Sequence, residues 1–310
     1  MIGIQAIAWA TGATVVDNRQ SARLWDKDEA FIVDKVGFRS LRRLAAGQSS
    51  QSLCREAFAD LQKQTGLAVE ECDCLVVVTQ NPDARRTVPH TSAQLHGALK
   101  LLPSVAAFDI SLGCSGYVYA ISVMSTFMQA NGLKKGLLFT ADAYSPALQQ
   151  EDEHTQLLFG DAVACTLLSD NPHYIVGKSC FATSGEAGHA LWMHDDGHIS
   201  MKGREIFNFC MRSVPMHLAE CLKKNSLNPD EIDCLVLHQA SRYIVEALGR
   251  KAGFPSEKVP FVLGDVGNCI SSTIPITLEK IWRQNHKRIL VSGFGAGLSW
   301  ATTVLHRYGE

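Results

Sequence analysis

Ala107-Phe108-Asp109-Ile110-Ser111-Leu112-Gly113-Cys114-Ser115-Gly116-Tyr117-Val118-Tyr119-Ala120 is an apolar run that stops at a glycine and resumes at helical spacing. This pattern predicts a strand, a sharp turn and a buried helix with Cys114 in its first turn. The free N–H groups and the positive dipole end of a helix N-terminus favour an anion. We therefore expect a lowered thiol pKa and a nucleophilic thiolate at Cys114. The arrangement is similar to the strand–turn–helix elbow of hydrolases, with cysteine in place of serine.

The other cysteines limit what Cys114 shows by itself. The chain has ten cysteines, and most free cysteines act as small core hydrophobes. Taken alone, Cys114 is equally consistent with a packing residue of the core and with a nucleophile. Cys72 and Cys74 occupy alternate positions of a predicted strand, so they share a face and are expected in the core rather than around a metal. The chain contains no CxxC pair, which favours a reduced, cytoplasmic location.

Length and composition bound the class of protein. The chain has 310 residues, 46% of them hydrophobic and 19% charged, with a net charge of −2 and a pI near 6.6. These values are typical of a globular protein of about two domains and do not indicate a nucleic-acid or membrane surface. Residues 1–16 are apolar but lack a basic leader, so they predict a first strand rather than a signal peptide. No stretch is apolar and long enough to span a membrane.

The second half of the sequence repeats the first. With one fixed offset, Asp73-Cys74-Leu75-Val76 falls on Asp233-Cys234-Leu235-Val236, and with a slightly shorter one Gly113-Cys114 falls on Gly267-Asn268. Such self-similarity predicts two related α/β halves with parallel sheets covered on both faces. We place them at residues 1–170 and 171–310, because Asp170-Asn171-Pro172 breaks the chain.

The repeat predicts a shared cleft, because equivalent strand-to-helix turns carry Cys114 and Asn268 and ligands bind at the carboxyl ends of parallel strands. His238 directly follows the apolar run 235–237. Taken alone, a histidine at a strand end is more often a structural residue. An asparagine at a glycine-flanked turn most often serves only to form the turn. The segment 293–297 is glycine-rich, so its backbone N–H groups can approach a ligand closely.

Taken in order, these segments resemble the thiolase superfamily, and most closely its β-ketoacyl-acyl-carrier-protein synthase III family. The resemblance covers nearly the whole chain and rests on Gly113-Cys114-Ser115-Gly116, Phe159-Gly160-Asp161, Met201-x-Gly203-x-Glu205-x-Phe207, His238-Gln239-Ala240, Gly267-Asn268, Ile274-Pro275 and the last glycine-rich turn. It implies a homodimer with the five-layered αβαβα thiolase fold. It also implies a catalytic set of Cys114, His238 and Asn268.

The resemblance implies a condensing enzyme of fatty acid biosynthesis. An acyl primer, carried on coenzyme A or on acyl carrier protein, would load onto Cys114. A malonyl thioester of acyl carrier protein would then lose carbon dioxide, and His238 and Asn268 would stabilise the enolate. The Cys114 N–H and an N–H of Ala296 or Gly297 would form the oxyanion hole. Neither a metal nor a cofactor is implied.

The substrate pocket is where this sequence departs from the family. The resemblance assigns to it Phe31, Lys35 and Ser241, where the family has tryptophan, arginine and asparagine, together with Phe207 and Val88. Lysine lacks the bidentate phosphate geometry of arginine, and Glu153 matches, in a loosely aligned loop, another arginine of the coenzyme A entrance. The carrier of the primer is therefore left open. Val88 matches a frequent phenylalanine that reaches the partner subunit's primer pocket, so we expect room for a larger primer.

Two other functions stay open, and two weaker motifs stay unassigned. The protein could pass the acyl group from Cys114 to an oxygen or nitrogen acceptor in specialised metabolism, or it could be a weakly active interaction subunit of a heterodimer. His194 and His198 have the spacing of metal ligands, but we expect a turn there. The arginines of segment 39–43 are expected to form a solvated face that could meet an acidic carrier protein.

Overall fold

The apolar runs of the sequence form strands in the computed structural model, which describes residues 1–81, 83 and 88–309. In chain order the strands are β1 (Gly3–Thr11), β2 (Thr14–Asp17), β3 (Ser40–Arg43), β4 (Cys74–Val78), β5 (Ala106–Ile110), β6 (Lys135–Asp142), β7 (Ala162–Ser169), β8 (Tyr174–Val176), β9 (Cys180–Thr183), β10 (Leu191–Met193), β11 (Ile199–Met201), β12 (Cys234–Leu237), β13 (Arg288–Gly295) and β14 (Ser299–Arg307).

Helices alternate with these strands, as expected for an α/β protein. They are α1 (Asn18–Ala22), α2 (Ser50–Thr65), α3 (Thr91–Leu99), α4 (Gly116–Ala130), α5 (Glu153–Gln156), α6 (Gly203–Lys224), α7 (Arg242–Lys251) and α8 (Thr273–Ile281), with a π-helix at Phe31–Val36. The bounds of α2 follow from local chemistry. Ser49 Oγ accepts a hydrogen bond from the N–H of Ser52 at 3.1 Å at its start, and Gly66 ends it with φ +70°.

The main sheet runs in the order β12-β13-β14-β8-β1-β7-β6-β4-β5, and β9 also pairs with β14. In the first half β4 is parallel to β5 and β6, while β7 is antiparallel to β6 and β1. In the second half β12 is parallel to β13, which is antiparallel to β14. The short strand β8 pairs with both β1 and β14 and so links the halves. The division at residue 170 stays a prediction.

Five layers result from how the helices cover the two halves of the sheet. The middle layer is α4 and α8, whose apolar side chains pack against strands of both halves in one buried cluster. The helices α2 and α3 cover the outer face of the first half, and α6 and α7 cover that of the second. The predicted αβαβα fold is therefore confirmed. Among the described residues, no helix has the length and apolar content needed to cross a membrane.

The repeat noticed in the sequence is also a repeat of hydrogen bonds. Asp73 Oδ2 accepts from the backbone N–H groups of residues 134 and 135 at 2.7 and 3.0 Å. Asp233 Oδ2 accepts from those of residues 287 and 288 at 2.7 and 2.9 Å. Each carboxylate thus fastens the start of one strand beside the start of its parallel neighbour. The two halves keep the same clamp at the end of the sheet opposite Cys114.

Candidate active site

The nucleophile candidate lies in the turn between β5 and α4. Cys114 is 4% exposed, and α4 begins at Gly116 after the N-cap Ser115. Cys114 thus lies two residues before the helix, in the turn itself, and not in the first helical turn as the sequence predicted. The turn is crowded, because a Cβ at Gly295 would lie 2.6 Å from Cys114 Sγ, and one at Gly293 would lie 2.5 Å from the Cys114 carbonyl oxygen. Only glycine fits at these two positions of β13.

His238 follows β12 directly and is 2% exposed. Its N–H donates to the carbonyl of Ser292 at 2.9 Å, which extends the pairing of β12 with β13. The ring Nδ1 is 2.7 Å from Thr273 Oγ1, at the start of α8. The edge of the ring meets Phe294, with centroids 5.6 Å apart. Thr273 therefore engages Nδ1, and the backbone of Ile270 is a second hydrogen-bond partner of the ring.

Asn268 lies in the turn that the repeat made equivalent to that of Cys114. Its side-chain Oδ1 accepts from the N–H of Ile270 at 3.0 Å, which fixes the orientation of the amide. Its N–H donates to the carbonyl of Leu158 at 2.8 Å, and its carbonyl accepts from Gly160 at 3.1 Å. The asparagine therefore bridges the two halves, and its Nδ2 is left as a donor toward the cavity that it lines.

Ile270 connects the histidine and the asparagine through its backbone. Its N–H holds the Asn268 amide, and its carbonyl lies 3.1 Å from Thr273 Oγ1, the hydroxyl that also engages His238. That hydroxyl has one hydrogen, so it donates either to this carbonyl or to His238 Nδ1. Ile270 has a φ of +53°. A β-branched residue is strained in this left-handed region, and such strain is typical of functional turns.

Asp142, at the end of β6, is a residue that sequence analysis missed. It is wholly buried. Its Oδ1 accepts from Thr79 Oγ1 at 3.0 Å and from the N–H groups of Gln80 and Asn81 at 2.9 and 3.3 Å, and its Oδ2 accepts from Ser271 Oγ at 2.7 Å. It therefore ties the ends of β4 and β6 to the turn that carries Asn268. A carboxylate at the carboxyl end of a buried strand was the available signal.

Burial sets the protonation of the site. It raises the pKa of the Cys114 thiol to about 12, against the opposing effect of the N–H groups of Ala296 and of Cys114 itself. The expected lowering of this pKa is therefore wrong, because loss of solvent outweighs the donors. Burial also lowers the pKa of His238 to about 3. Near neutral pH the substrate-free site holds a thiol and a neutral imidazole.

Two backbone donors meet at the sulfur. The N–H groups of Cys114 and Ala296 both point at Cys114 Sγ. The choice between Ala296 and Gly297, which the sequence left open, thus favours Ala296. Gly297 instead lines a neighbouring cavity, together with Ala296.

A cavity of about 390 Å³ connects these groups to the surface. Cys114, His238 and Asn268 lie on its floor, and Phe31, Lys35, Phe207 and Ser241 are in its walls and mouth. We call it the entrance cavity. Val88 is not among its lining residues and is 82% exposed in the single chain.

The mouth of the entrance cavity is both aromatic and charged. Tyr243 stacks on Phe207 with ring centroids 5.4 Å apart, and Lys35 Nζ lies 4.0 Å above the Tyr243 ring. Glu153 pairs with Lys27 at 3.3 Å. The negative charge of Glu153, which the sequence placed at this entrance, is therefore compensated by the ion pair with Lys27.

A second cavity, of about 260 Å³, lies behind the Ala296 backbone. It is lined by Gln80, Tyr144, Gly188, Leu191, Trp192, Met193, Ile199, Ala296 and Gly297. Leu191 lines both cavities. Tyr144 and Ile199 also pack in one apolar cluster with Cys114. We call this space the inner cavity; no pattern in the sequence indicated it.

The suspected metal motif forms a hairpin turn. The N–H of His194 donates to the carbonyl of His198 at 2.8 Å between β10 and β11. His194 Nε2 is 2.8 Å from Ser200 Oγ, and His198 Nδ1 is 3.2 Å from Asp196. The described residues include no cluster of three or more His, Cys, Asp or Glu side chains that could hold a metal ion.

Chemically, the site pairs a nucleophile with two sets of donors. The N–H groups at Cys114 Sγ can stabilise an oxyanion formed on that sulfur. The imidazole and amide, neutral and fixed by Thr273 and Ile270, can donate to a second oxyanion. Acyl transfer to a thiol forms one oxyanion on the acyl group, and carbon–carbon bond formation then requires a second oxyanion on another substrate. The two sets of donors fit these two successive steps.

Comparisons with known proteins agree with this geometry. The family model described as 3-oxoacyl-[acyl-carrier-protein (ACP)] synthase III matches residues 108–185, and its C-terminal counterpart matches residues 222–307. A β-ketoacyl-[acyl-carrier-protein] synthase III of Streptococcus sanguinis is 28% identical over 322 residues, which cover 97% of this chain and 98% of that protein. One from Streptococcus pneumoniae is 29% identical, with the same coverage.

Solved structures give the same match over the whole chain. A crystal structure of 3-oxoacyl-(acyl-carrier-protein) synthase III has a TM-score of 0.92 at 29% identity, covering 98% of this chain and 99% of that one. The enzyme of the same name from Aquifex aeolicus has a TM-score of 0.91 at 27% identity, with coverages of 99% and 100%. This chain thus has the length and the fold of these proteins.

Proposed function

The chain belongs to the β-ketoacyl-acyl-carrier-protein synthase III family of the thiolase superfamily, and from this membership we propose how its site works. It is an acyltransferase of the condensing type. Cys114 takes up an acyl primer, and malonyl-acyl-carrier protein then condenses with it to give a β-ketoacyl-acyl-carrier protein. One observation carries these roles: Cys114, His238 and Asn268 converge on the floor of one cavity.

In the loading step, Cys114 Sγ attacks the carbonyl carbon of the primer thioester. The N–H groups of Cys114 and Ala296 stabilise the oxyanion of the tetrahedral intermediate. The carbon–sulfur bond to the carrier then breaks, and the leaving sulfur takes up the proton that the Cys114 thiol gives up. The products are an acyl-enzyme and a free carrier thiol.

In the condensation step, the malonyl thioester loses carbon dioxide and becomes an enolate. This step uses the tautomer in which Thr273 Oγ1–H donates to His238 Nδ1, so that the ring proton is on Nε2. His238 Nε2–H and Asn268 Nδ2–H then donate hydrogen bonds to the enolate oxygen. The pKa of His238 near 3 supports a neutral donor, and the bonds of Thr273 and Ile270 support the orientation of both groups. The enolate carbon attacks the acyl carbon, and the bond to Sγ breaks. The released thiolate takes up a proton from solvent and becomes the Cys114 thiol again.

The test is intact-protein mass spectrometry of the wild type and of Cys114→Ala. Each is incubated with acyl thioesters of coenzyme A and of acyl carrier protein, and then with malonyl-acyl-carrier protein. A mass gain that needs Cys114 and is discharged by the malonyl carrier is expected, and the donor that loads identifies the primer's carrier. Loading without that discharge would favour transfer to an oxygen or nitrogen acceptor. No loading from any donor would favour an interaction subunit.

We also propose a homodimer, because apolar surface surrounds the free edge of the main sheet. The strand β5 ends the sheet and pairs only with β4 among the described strands. On the adjacent helix α4, Tyr119, Val123 and Phe127 are spaced four residues apart and form one stripe. Phe181 packs on Tyr119, and Phe108 of β5 packs on Phe127, with centroids 4.6 and 5.4 Å apart. Val123 and Phe181 are 45% and 44% exposed. A second copy would cover this stripe.

The dimer would give Val88 the role that the sequence suggested. We propose that Val88, exposed in the single chain, enters the partner subunit's primer pocket and leaves room for a larger primer than phenylalanine would. Acyl donors of graded length should load on the wild type to a greater length than on Val88→Phe. If only acetyl loads on both proteins, this role is wrong.

The state of the cysteines supports a proposed cytoplasmic location. All ten are free and buried, and thiols persist in a reducing compartment. Fractionation of cells that make the protein would test this location.

A further inference from the structure

The acyl group on Cys114 needs a place outside the entrance cavity. Under the proposed function, the primer thioester and the malonyl thioester both reach Cys114 through that cavity. An acyl chain left there would block the second substrate. The chain must therefore extend past the sulfur, toward side chains that pack around Cys114 but do not line the entrance cavity, which include Tyr144 and Ile199.

The inner cavity lies in that direction. Most of its lining is apolar and includes Leu191, Met193 and Ile199, as expected for a pocket that holds an alkyl chain. Two of its lining residues, Tyr144 and Gln80, are polar. The Gln80 side chain, like the Tyr144 hydroxyl, has no hydrogen-bond partner among the described residues. A pocket for a plain hydrocarbon chain needs neither group.

Tyr144 differs from the other buried tyrosines. The hydroxyl of Tyr117 is 3.3 Å from Thr166 Oγ1, and that of Tyr174 donates to the carbonyl of His286 at 2.8 Å. Tyr144 is 4% exposed, but its hydroxyl makes no hydrogen bond with the part of the chain that the structure describes. Tyr144 lines the inner cavity, so its hydroxyl is free to donate to a ligand that supplies an acceptor there.

The hydroxyl of Tyr144 is also close to the reaction and is available as a donor. Burial raises its pKa well above the usual value, and the neighbouring Asp142 carboxylate raises it further. The group thus stays protonated and lies near the sulfur that carries the acyl chain. Asp142 is no partner for it, because four other donors occupy that carboxylate.

We propose that Tyr144 donates a hydrogen bond to an oxygen on the acyl chain bound to Cys114, with the Gln80 amide beside it. The preferred primer is then an acyl group that carries a hydroxyl or carbonyl oxygen on its chain, rather than a saturated alkyl acyl group. This inference rests on the proposed function and names the class of its first substrate.

The experiment measures loading on Cys114 by intact mass in single turnover. The donors are butyryl thioesters and their analogues with a hydroxyl or carbonyl oxygen at carbon 2, 3 or 4, all on the same carrier. In the wild type, at least one oxygenated donor should load about tenfold faster than butyryl, because a buried donor left unpaired disfavours the alkyl chain. In Tyr144→Phe this preference should fall to near one.

The control is Tyr117→Phe, which also removes a buried tyrosine hydroxyl, but one that already has a partner in the protein. It should keep the wild-type preference. The proposal is overturned if the wild type loads butyryl as fast as every oxygenated donor, a result that needs no variant, or if Tyr144→Phe keeps the preference. If no thioester of either kind loads on Cys114, the proposed function fails and this inference fails with it.

Discussion

At the scale of single residues, the space around Cys114 is as important as its neighbours. Gly295 has no room for a side chain, since a Cβ would lie 2.6 Å from Sγ. We predict that Gly295→Ala slows acyl loading by about 100-fold, because the sulfur must move away from the Ala296 N–H. The measurement is the rate of loading by intact mass. Gly97→Ala is the control, since its Cβ would meet nothing within 4 Å. Equal loss in both variants would contradict this account.

The pKa of the nucleophile gives a second prediction at this scale. With a pKa of about 12, the thiolate fraction of Cys114 rises tenfold for each pH unit throughout the range in which the protein is handled. Alkylation of the free protein by iodoacetamide should therefore accelerate with unit slope from pH 6 to 9, after the Cys114→Ala background is subtracted. A plateau between pH 6 and 8 would instead indicate a thiolate stabilised by its surroundings.

The direction in which the pKa of Cys114 shifts depends on tertiary contacts that the sequence alone does not show. The sequence showed Cys114 at a strand-to-helix turn, and the helix-dipole argument followed from that local pattern. Burial comes instead from β13, almost two hundred residues later, whose glycines close over the sulfur. The order of motifs located Cys114, His238 and Asn268, whereas the hydrogen bonds of Thr273 and Ile270 that orient them depend on tertiary contacts.

At the scale of elements, Asp142 connects the end of β6 with the end of β4 and with the 3₁₀ turn Ile270–Ser272. We predict that Asp142→Asn lowers the free energy of unfolding by about 2 kcal/mol, because hydrogen bonds to a buried charge are lost. It should also slow condensation about tenfold more than loading, since Ser271 lies beside the turn of Asn268 rather than beside Cys114. Denaturant unfolding and separate single-turnover rates measure the two effects.

Asp73→Asn is the matched control for that prediction. Asp73 also accepts hydrogen bonds from two backbone N–H groups, but it clamps the opposite end of the sheet. Asp73→Asn should lower the free energy of unfolding without changing the ratio of the condensation rate to the loading rate. If Asp142→Asn slows loading and condensation equally, Asp142 only supports the fold.

Periodicity predicted the long elements better than the short ones. The helical spacing of Leu53, Ala57 and Leu61 predicts a helix over residues 50–65. The helix α2 has these bounds, because a capping serine and a left-handed glycine mark its ends. The sequence predicts the next strand over residues 135–140, but β6 runs two residues further, to Asp142. Those two residues include the acid that ties the site together. Tyr144 lies just beyond, in a segment without any period, so no pattern could assign it to a cavity.

At the scale of the whole molecule, the apolar stripe on α4 predicts the assembly. We predict that the wild type is a dimer in solution and that Val123→Arg is a monomer at micromolar concentration, because a buried interface excludes an unpaired charge. Light scattering after size-exclusion chromatography measures the mass. Met216→Arg is the control, since Met216 is 73% exposed on the outer helix α6. A dimer that survives Val123→Arg would place the interface elsewhere.

The burial of all ten cysteines has a consequence for covalent inhibitors. Cys114 and Cys210 line the entrance cavity, and raised thiol pKa values make both poor targets for weak electrophiles. Selectivity would therefore depend on the shape of the compound more than on thiol reactivity. A suitable compound would carry its reactive group at the end of a slim, unbranched arm, and a bulky head would remain at the aromatic mouth. Broad thiol reagents of large diameter should leave the native protein unmodified.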